Sequence, residues 1–83
     1  MITGTMAGVL KVLKELGEDN INALSKKMGR PYPLIYNAVK KLWDAELVTV
    51  EKRGRSKIVR ITPKGVRVLH AYMRLLKELG EGL

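Results

Sequence analysis

Apolar residues recur three or four positions apart through the first part of the chain. Met6, Val9, Leu10, Leu13 and Leu16 share one face, with Lys11, Lys14 and Glu15 opposite, which predicts an amphipathic helix. Thr5 is a candidate N-cap for a helix opening at Met6, and Gly17 stands where a left-handed C-terminal cap belongs. Glu18-Asp19-Asn20 reads as a polar turn, after which Ile21 can add a very short strand and Asn22 can cap a second helix. Ile21, Leu24 and Met28 mark the apolar face of that helix, and Gly29 stops it. Arg30-Pro31-Tyr32-Pro33 is a turn. A proline in a first helical turn costs little, because its missing N–H has no intrahelical partner there. A third helix therefore starts between Pro31 and Pro33 and covers residues 32–46, with Ile35, Ala38, Val39 and Leu42 inward. Its outer face is Pro33, Tyr36, Asn37, Lys40 and Lys41.

The period then drops from helical spacing towards two. Residues 47–52 are rich in β-branched side chains with partial alternation, and residues 57–61 repeat that character, so the two runs predict a hairpin turning at residues 53–56. Thr62-Pro63 is an N-cap followed by proline at the first helical position. A final helix runs over residues 63–79, and Gly80-Glu81-Gly82 ends the order. The expected fold is mainly α with a small β-hairpin, in the order helix, helix, turn, helix, hairpin, helix. There is no internal repeat and no low-complexity segment.

Composition narrows what such a chain can do. Its 83 residues suit one domain spanning residues 1–83, since two cores would need more chain, and 46% hydrophobic with 29% charged residues is a globular balance. There is no cysteine and only one histidine, which excludes a disulfide framework, thiolate metal sites and cysteine–histidine chemistry. His70 reads as an exposed helix residue. One histidine and eight scattered acids build no nucleophile–base pair, phosphate loop or carboxylate pair, so no catalytic residue, metal or cofactor is expected. No apolar run approaches the roughly 20 residues of a bilayer span. The N-terminal residues lack a basic segment followed by an apolar one, so no signal peptide is expected. The expected location is cytoplasmic, with the nucleoid as the site of association.

Sixteen Lys and Arg against eight Asp and Glu give a net charge of +8, unevenly placed. Residues 26–67 hold twelve bases and three acids, a balance of +9, and the remainder is near neutral at −1. A solvated surface can carry such charge; the order of elements gives it a use. Two helices joined by a short glycine-containing turn form a helix-turn-helix. The second of the pair fits the major groove of B-DNA if its outer face offers donors and acceptors flanked by cations. Asn37 can pair bidentately with adenine. Tyr36 can donate to a phosphate or stack on a thymine methyl or a sugar. Lys40 and Lys41 suit phosphates or guanine. Lys26, Lys27 and Arg30, before and in the turn, join the DNA-facing set with Tyr32 and Pro33. The hairpin tip at residues 52–57 concentrates Lys52, Arg53, Arg55 and Lys57, whose mutual repulsion a phosphate backbone or a narrow minor groove would relieve. Cations at a strand edge also deter edge-to-edge pairing, and an amphipathic helix with nothing to bind would show the same stripe.

At this point the chain resembles a known family. Leu24-Ser25-Lys26-Lys27-Met28-Gly29, then Ile35-Tyr36-Asn37-Ala38-Val39-Lys40-Lys41-Leu42, then Glu46-Leu47-Val48, is similar to the winged helix-turn-helix of bacterial and archaeal regulators of the MarR, PadR and ArsR types. Ile61-Thr62-Pro63-Lys64-Gly65, closing the wing, adds to the likeness, which covers roughly residues 6–80. The resemblance implies a DNA-binding transcriptional regulator. It places Tyr32, Pro33, Tyr36, Asn37 and Lys41 at recognition-helix positions and Arg53, Arg55 and Lys57 on the wing. Two departures stand out: Arg30-Pro31-Tyr32-Pro33 occupies a turn where such families usually place small hydroxyl residues, and Glu46 stands where glycine is common.

The last helix has two adjacent apolar stripes. One is Val66, Leu69, Met73 and Leu76; the other is Val68, Tyr72, Leu75 and Leu79. One stripe of about 100° suffices to cover a helix's own domain. The second predicts a homodimer through residues 63–79, with double-stranded DNA as the other partner and a pseudo-palindromic site. The competing explanation is deep burial of this helix in a small core. A chromatin-type protein coating DNA with little sequence preference, and a winged-helix adaptor for proteins, remain as alternatives. No small-molecule ligand is expected.

Overall fold

Leu10, Leu13, Leu24, Ile35, Leu42 and Leu69 are completely buried and come from all four helices. Each such side chain removed from water is worth about 1.5–3 kcal/mol, so one shared core holds every helix in place. In the computed structural model, residues 2–80 are described; residues 81–83, and with them part of the expected end of order, lie outside that range. The elements are α1 (Gly4–Leu16), β1 (Glu18–Asn20), α2 (Ile21–Met28), α3 (Tyr32–Asp44), β2 (Val48–Arg53), β3 (Ser56–Ile61) and α4 (Pro63–Glu78). Four helices therefore pack with a three-stranded antiparallel sheet of order β1-β3-β2. Among the described residues no helix is long and apolar enough to cross a membrane.

Capping side chains set most of the helix starts. The Thr62 hydroxyl accepts the Gly65 N–H at 2.9 Å, as the Thr-Pro pair predicts. At the first helix the cap is Thr3, not Thr5: the Thr3 hydroxyl accepts the Met6 N–H at 3.1 Å from an extended backbone, and Thr5 sits inside the helix. Asn20, not Asn22, caps α2, its Oδ1 accepting the Ala23 N–H at 2.7 Å. That shift follows from a second correction. Glu18-Asp19-Asn20 is a strand rather than a turn, because β3 offers it a partner: Glu18 lies opposite Arg60 and Asn20 opposite Ile58. Helix α3 ends at Asp44, two residues before the expected limit.

The hairpin registers Val48 opposite Ile61 and Arg53 opposite Ser56, leaving Gly54 and Arg55 as a two-residue loop. Gly54 has φ 58°, a value that an L side chain adopts only with strain. The strands thus run one residue further into the tip than the residue pattern predicts. Val48 and Val59 face the core. Because strand side chains alternate, Thr49, Glu51 and Arg53 of β2 share the opposite face with Ser56, Ile58 and Arg60 of β3.

Glu46 has φ 62°, in the left-handed region. The position where glycine is common in the resembled family therefore keeps that backbone conformation here, with a residue that must bear its cost. Around it three successive carbonyls are tied to the start of α4. Lys64 Nζ donates to the Ala45 carbonyl at 3.0 Å and the Thr62 hydroxyl to the Glu46 carbonyl at 2.8 Å. The Thr62 N–H donates to the Leu47 carbonyl at 3.0 Å.

Candidate nucleic-acid interface

Helix α3 buries Ile35, Ala38, Val39 and Leu42 and thereby turns the opposite side outward. Tyr32, Pro33, Asn37, Lys40 and Lys41 are exposed there, and Tyr36 is half-buried. Pro31 occupies the N-cap position of α3 and offers no side-chain hydrogen bond, which is the local consequence of the missing hydroxyl in the turn. Lys26, Lys27 and Arg30 are exposed on the preceding helix end and turn.

The wing reaches this helix through an aromatic ladder. Tyr32 and Tyr36, one helical turn apart, stack with ring centroids 6.2 Å apart and planes 20° from parallel. Lys57 of β3 places its ammonium 5.3 Å from the Tyr36 ring centre, a cation–π contact worth about 0.5–1 kcal/mol at an exposed site. A polar notch opens beside the ladder, lined by Asn20, Asn22 and Tyr32 on one side and Arg55, Ser56 and Lys57 on the other. An apolar notch follows along α3, where Tyr36, Lys40 and Trp43 meet Val50 and Lys57. The structure thus brings Tyr32, Tyr36 and Lys40 against the wing, with Arg55 and Lys57 at their side.

It does not bring all the predicted cations to that surface. Arg53 lies on the other face of the wing sheet, where its guanidinium holds Glu18 (Nη1 to Oε2, 2.7 Å) and Glu51 (Nη2 to Oε1, 3.2 Å). The same Glu18 carboxylate also binds Arg60. Hydrogen bonds from Arg53 and then Arg60 hold the Glu18 carboxyl below its ordinary value of 4.5, and the carboxylates raise Arg53 above its own. Lys27 is paired with Asp19 at 2.5 Å, so it too has an internal anion.

Several residues of this region carry no signal in the residue pattern. Asn20 and Asn22 face the wing only because β1 pairs with β3, and Ser56 joins them as the first residue of β3. Trp43, 51% exposed, borders the apolar notch at the C-terminal end of α3. Unlike the others it had a signal, since helical spacing puts it seven residues after Tyr36 on the same side, but the outer face expected above did not include it.

A helix-turn-helix whose second helix stands beside a basic two-stranded hairpin defines the winged-helix fold of transcriptional regulators. Solved structures agree. The transcriptional regulator BldR from Sulfolobus solfataricus superposes with a TM-score of 0.86 at 28% identity, over 94% of this chain and 58% of BldR. A MepR variant from S. aureus bound to an oligodeoxyribonucleotide superposes with a TM-score of 0.81 at 21% identity, over 95% of this chain and 61% of that one, a likeness of fold. The resemblance read from the residues is borne out at this level. The HVO_A0114 family model matches residues 1–68, and the chain belongs to the HVO_A0114 family. An uncharacterised protein from Archaeoglobus fulgidus is 33% identical over 48 residues, 58% of this chain and 50% of that protein. The chain thus spans about half the length of that curated relative and somewhat more of the two solved chains.

Proposed function

We propose that this chain is a DNA-binding transcriptional regulator that places α3 in the major groove and the wing on the adjoining backbone or minor groove. The ladder of Lys57, Tyr36 and Tyr32 carries this reading, because it locks the basic hairpin against the exposed face of α3. Asn37 is the candidate base reader, with its amide directed to adenine. Lys40 and Lys41 flank it, and Lys26, Lys27, Arg30, Tyr32, Pro33 and Tyr36 complete the helix-turn-helix side. Arg55 and Lys57 supply the wing cations, with Arg53 held in reserve by its carboxylates. BldR is a transcriptional regulator and MepR binds an oligodeoxyribonucleotide, which supports the same use of this fold here.

The working unit in this reading is a two-fold dimer within the cytoplasm, associated with the nucleoid. Only Gly65 and Leu69 of α4 are buried, so the apolar arc of that helix is not consumed by its own core. Val68, Ala71, Tyr72 and Leu75 form an apolar surface with Ile2, and Leu75 and Leu79 are 56% and 62% exposed. Pairing of two copies through residues 63–79 would cover this face and set two recognition helices on successive major grooves, roughly 34 Å apart. Selection of bound duplexes from a random pool tests the reading. Enrichment of a pseudo-palindromic sequence is the expected result. Retention of all sequences alike would assign a DNA-coating role, and retention of none would remove DNA as the partner.

A further inference from the structure

The wing carries its cations on two faces, and the faces differ in what holds them. Lys57 lies against Tyr36, and Arg55 sits in the loop beside Tyr32. Arg53 and Arg60 lie on the outer face, and both are bound by one carboxylate, Glu18. Glu18 belongs to β1, 35 residues before Arg53 in sequence, and enters the sheet opposite Arg60. The Arg53 fork meets both Glu18 oxygens, Nη1 at 2.7 Å and Nη2 at 3.3 Å, so its direction is fixed as well as its charge matched. Glu51 also touches Arg53 but sits two residues away on the same strand, so it moves with the tip. Glu18 does not.

We infer that Glu18 is a positioning residue that withholds Arg53 from DNA phosphates by anchoring its guanidinium to the base of the wing, and so limits the electrostatic part of DNA binding. This rests on the DNA-binding reading above. A withheld cation leaves a specific signature. Each phosphate neutralised adds about 0.9 to the slope of log affinity against log salt, so the number of working cations is countable. The intact chain should show a slope to which Arg53 contributes nothing. Removing the anchor should add one contact, and that contact should depend on Arg53.

The test measures anisotropy of a fluorescein-labelled random-sequence duplex over a salt series with the full chain, Glu18→Gln, Arg53→Ala and the double variant. Glu15→Gln, which removes the same charge from an exposed position on α1, is the control for net charge. The expected result is an unchanged slope for Arg53→Ala and a slope steeper by about 0.9 for Glu18→Gln. The double variant and Glu15→Gln should return the slope of the intact chain. A Glu18→Gln slope equal to or shallower than that of the intact chain overturns the inference, as does an equal steepening by Glu15→Gln. Circular dichroism checks the fold. If Glu18→Gln does not fold, Arg53→Ala decides alone: an unchanged slope supports the anchor, and a slope reduced by about 0.9 overturns it. An intact chain that fails to bind the duplex at about 50 mM salt overturns the DNA-binding reading, and the anchor with it. Binding with the wrong slopes overturns the anchor alone.

Discussion

Replacing Gly65 with alanine should destabilise the fold although it improves local helix propensity. Gly65 is the third residue of α4 and is buried. A Cβ built there collides with the Leu47 carbonyl oxygen, and also meets Ile61 Cγ1 at 2.8 Å and the Leu47 carbonyl carbon at 3.1 Å. The Ile61 side chain can rotate away. The carbonyl cannot move freely, because it accepts the Thr62 N–H at 3.0 Å. Overpacking against fixed atoms costs about 1–3 kcal/mol, and straining that hydrogen bond adds about 1 kcal/mol. Alanine returns about 1 kcal/mol of helix propensity. The net loss is about 1–3 kcal/mol, and at roughly 4–8 °C per kcal/mol for a domain of this size a 2 kcal/mol loss lowers the melting temperature by about 8–16 °C. Gly4→Ala is the internal control, since nothing lies within 4 Å of its Cβ position. It should melt at or slightly above the parent. Thermal unfolding followed by circular dichroism measures both, and a Gly65→Ala protein that melts at or above the parent refutes the reasoning.

Asn37→Ala should relax sequence preference at one base position by about 1–3 kcal/mol; an equal loss on every sequence, measured by titration of matched and mismatched duplexes, would deny Asn37 a role in base readout. Glu46→Gly should stabilise the fold by about 0.5–1 kcal/mol, because relief of a left-handed non-glycine residue outweighs glycine's extra chain entropy, and denaturant titration would show the midpoint moving up. The Glu18 carboxyl should titrate below 4.5 by NMR, with its hydrogen bonds from Arg53 and Arg60 as the cause. A folded value below the unfolded one means that its contribution to stability is present above about 4.5 and is lost as pH falls through the folded value; a midpoint at or above 4.5 would contradict the contacts. Leu75→Glu should leave a monomer where the parent sediments as a dimer, and a parent that is monomeric at micromolar concentration removes α4 as a pairing helix.

Long-range order decided which parts of the molecule were legible. The helices carry a 3.6-residue period over two turns or more, and Thr62-Pro63 and Gly29 mark termini by their own chemistry, so these elements follow from local rules. Strand β1 does not. Three polar residues have no alternation to read, and their extended form depends on a partner forty residues away in β3. The same holds for charge. As a string, Lys27, Arg53, Arg60 and Lys64 look like free cations. In the fold their partners are Asp19, Glu18 and the Ala45 carbonyl, separated from them by 8 to 42 residues. The polar part of the exposed face of α3 was legible, because helical spacing alone puts Asn37, Lys40 and Lys41 opposite Ile35 and Leu42, whereas exposed Leu34 and Trp43 and the half-burial of Tyr36 against the wing were not anticipated.

The three consecutive carbonyls of Ala45, Glu46 and Leu47, each gripped by Thr62 or Lys64, have a mechanical consequence. They weld the trailing end of α3 to the leading end of α4, with Gly65 allowing the two backbones to close without a gap. Helix α4 is 16 residues long and so extends about 24 Å from that weld. It is a lever arm: each degree of tilt at the weld moves its free end by about 0.4 Å. A partner that held Leu75 and Leu79 near that free end would therefore aim α3, and under the DNA-binding reading proposed above small changes in the packing of α4 would change the direction from which α3 meets a major groove.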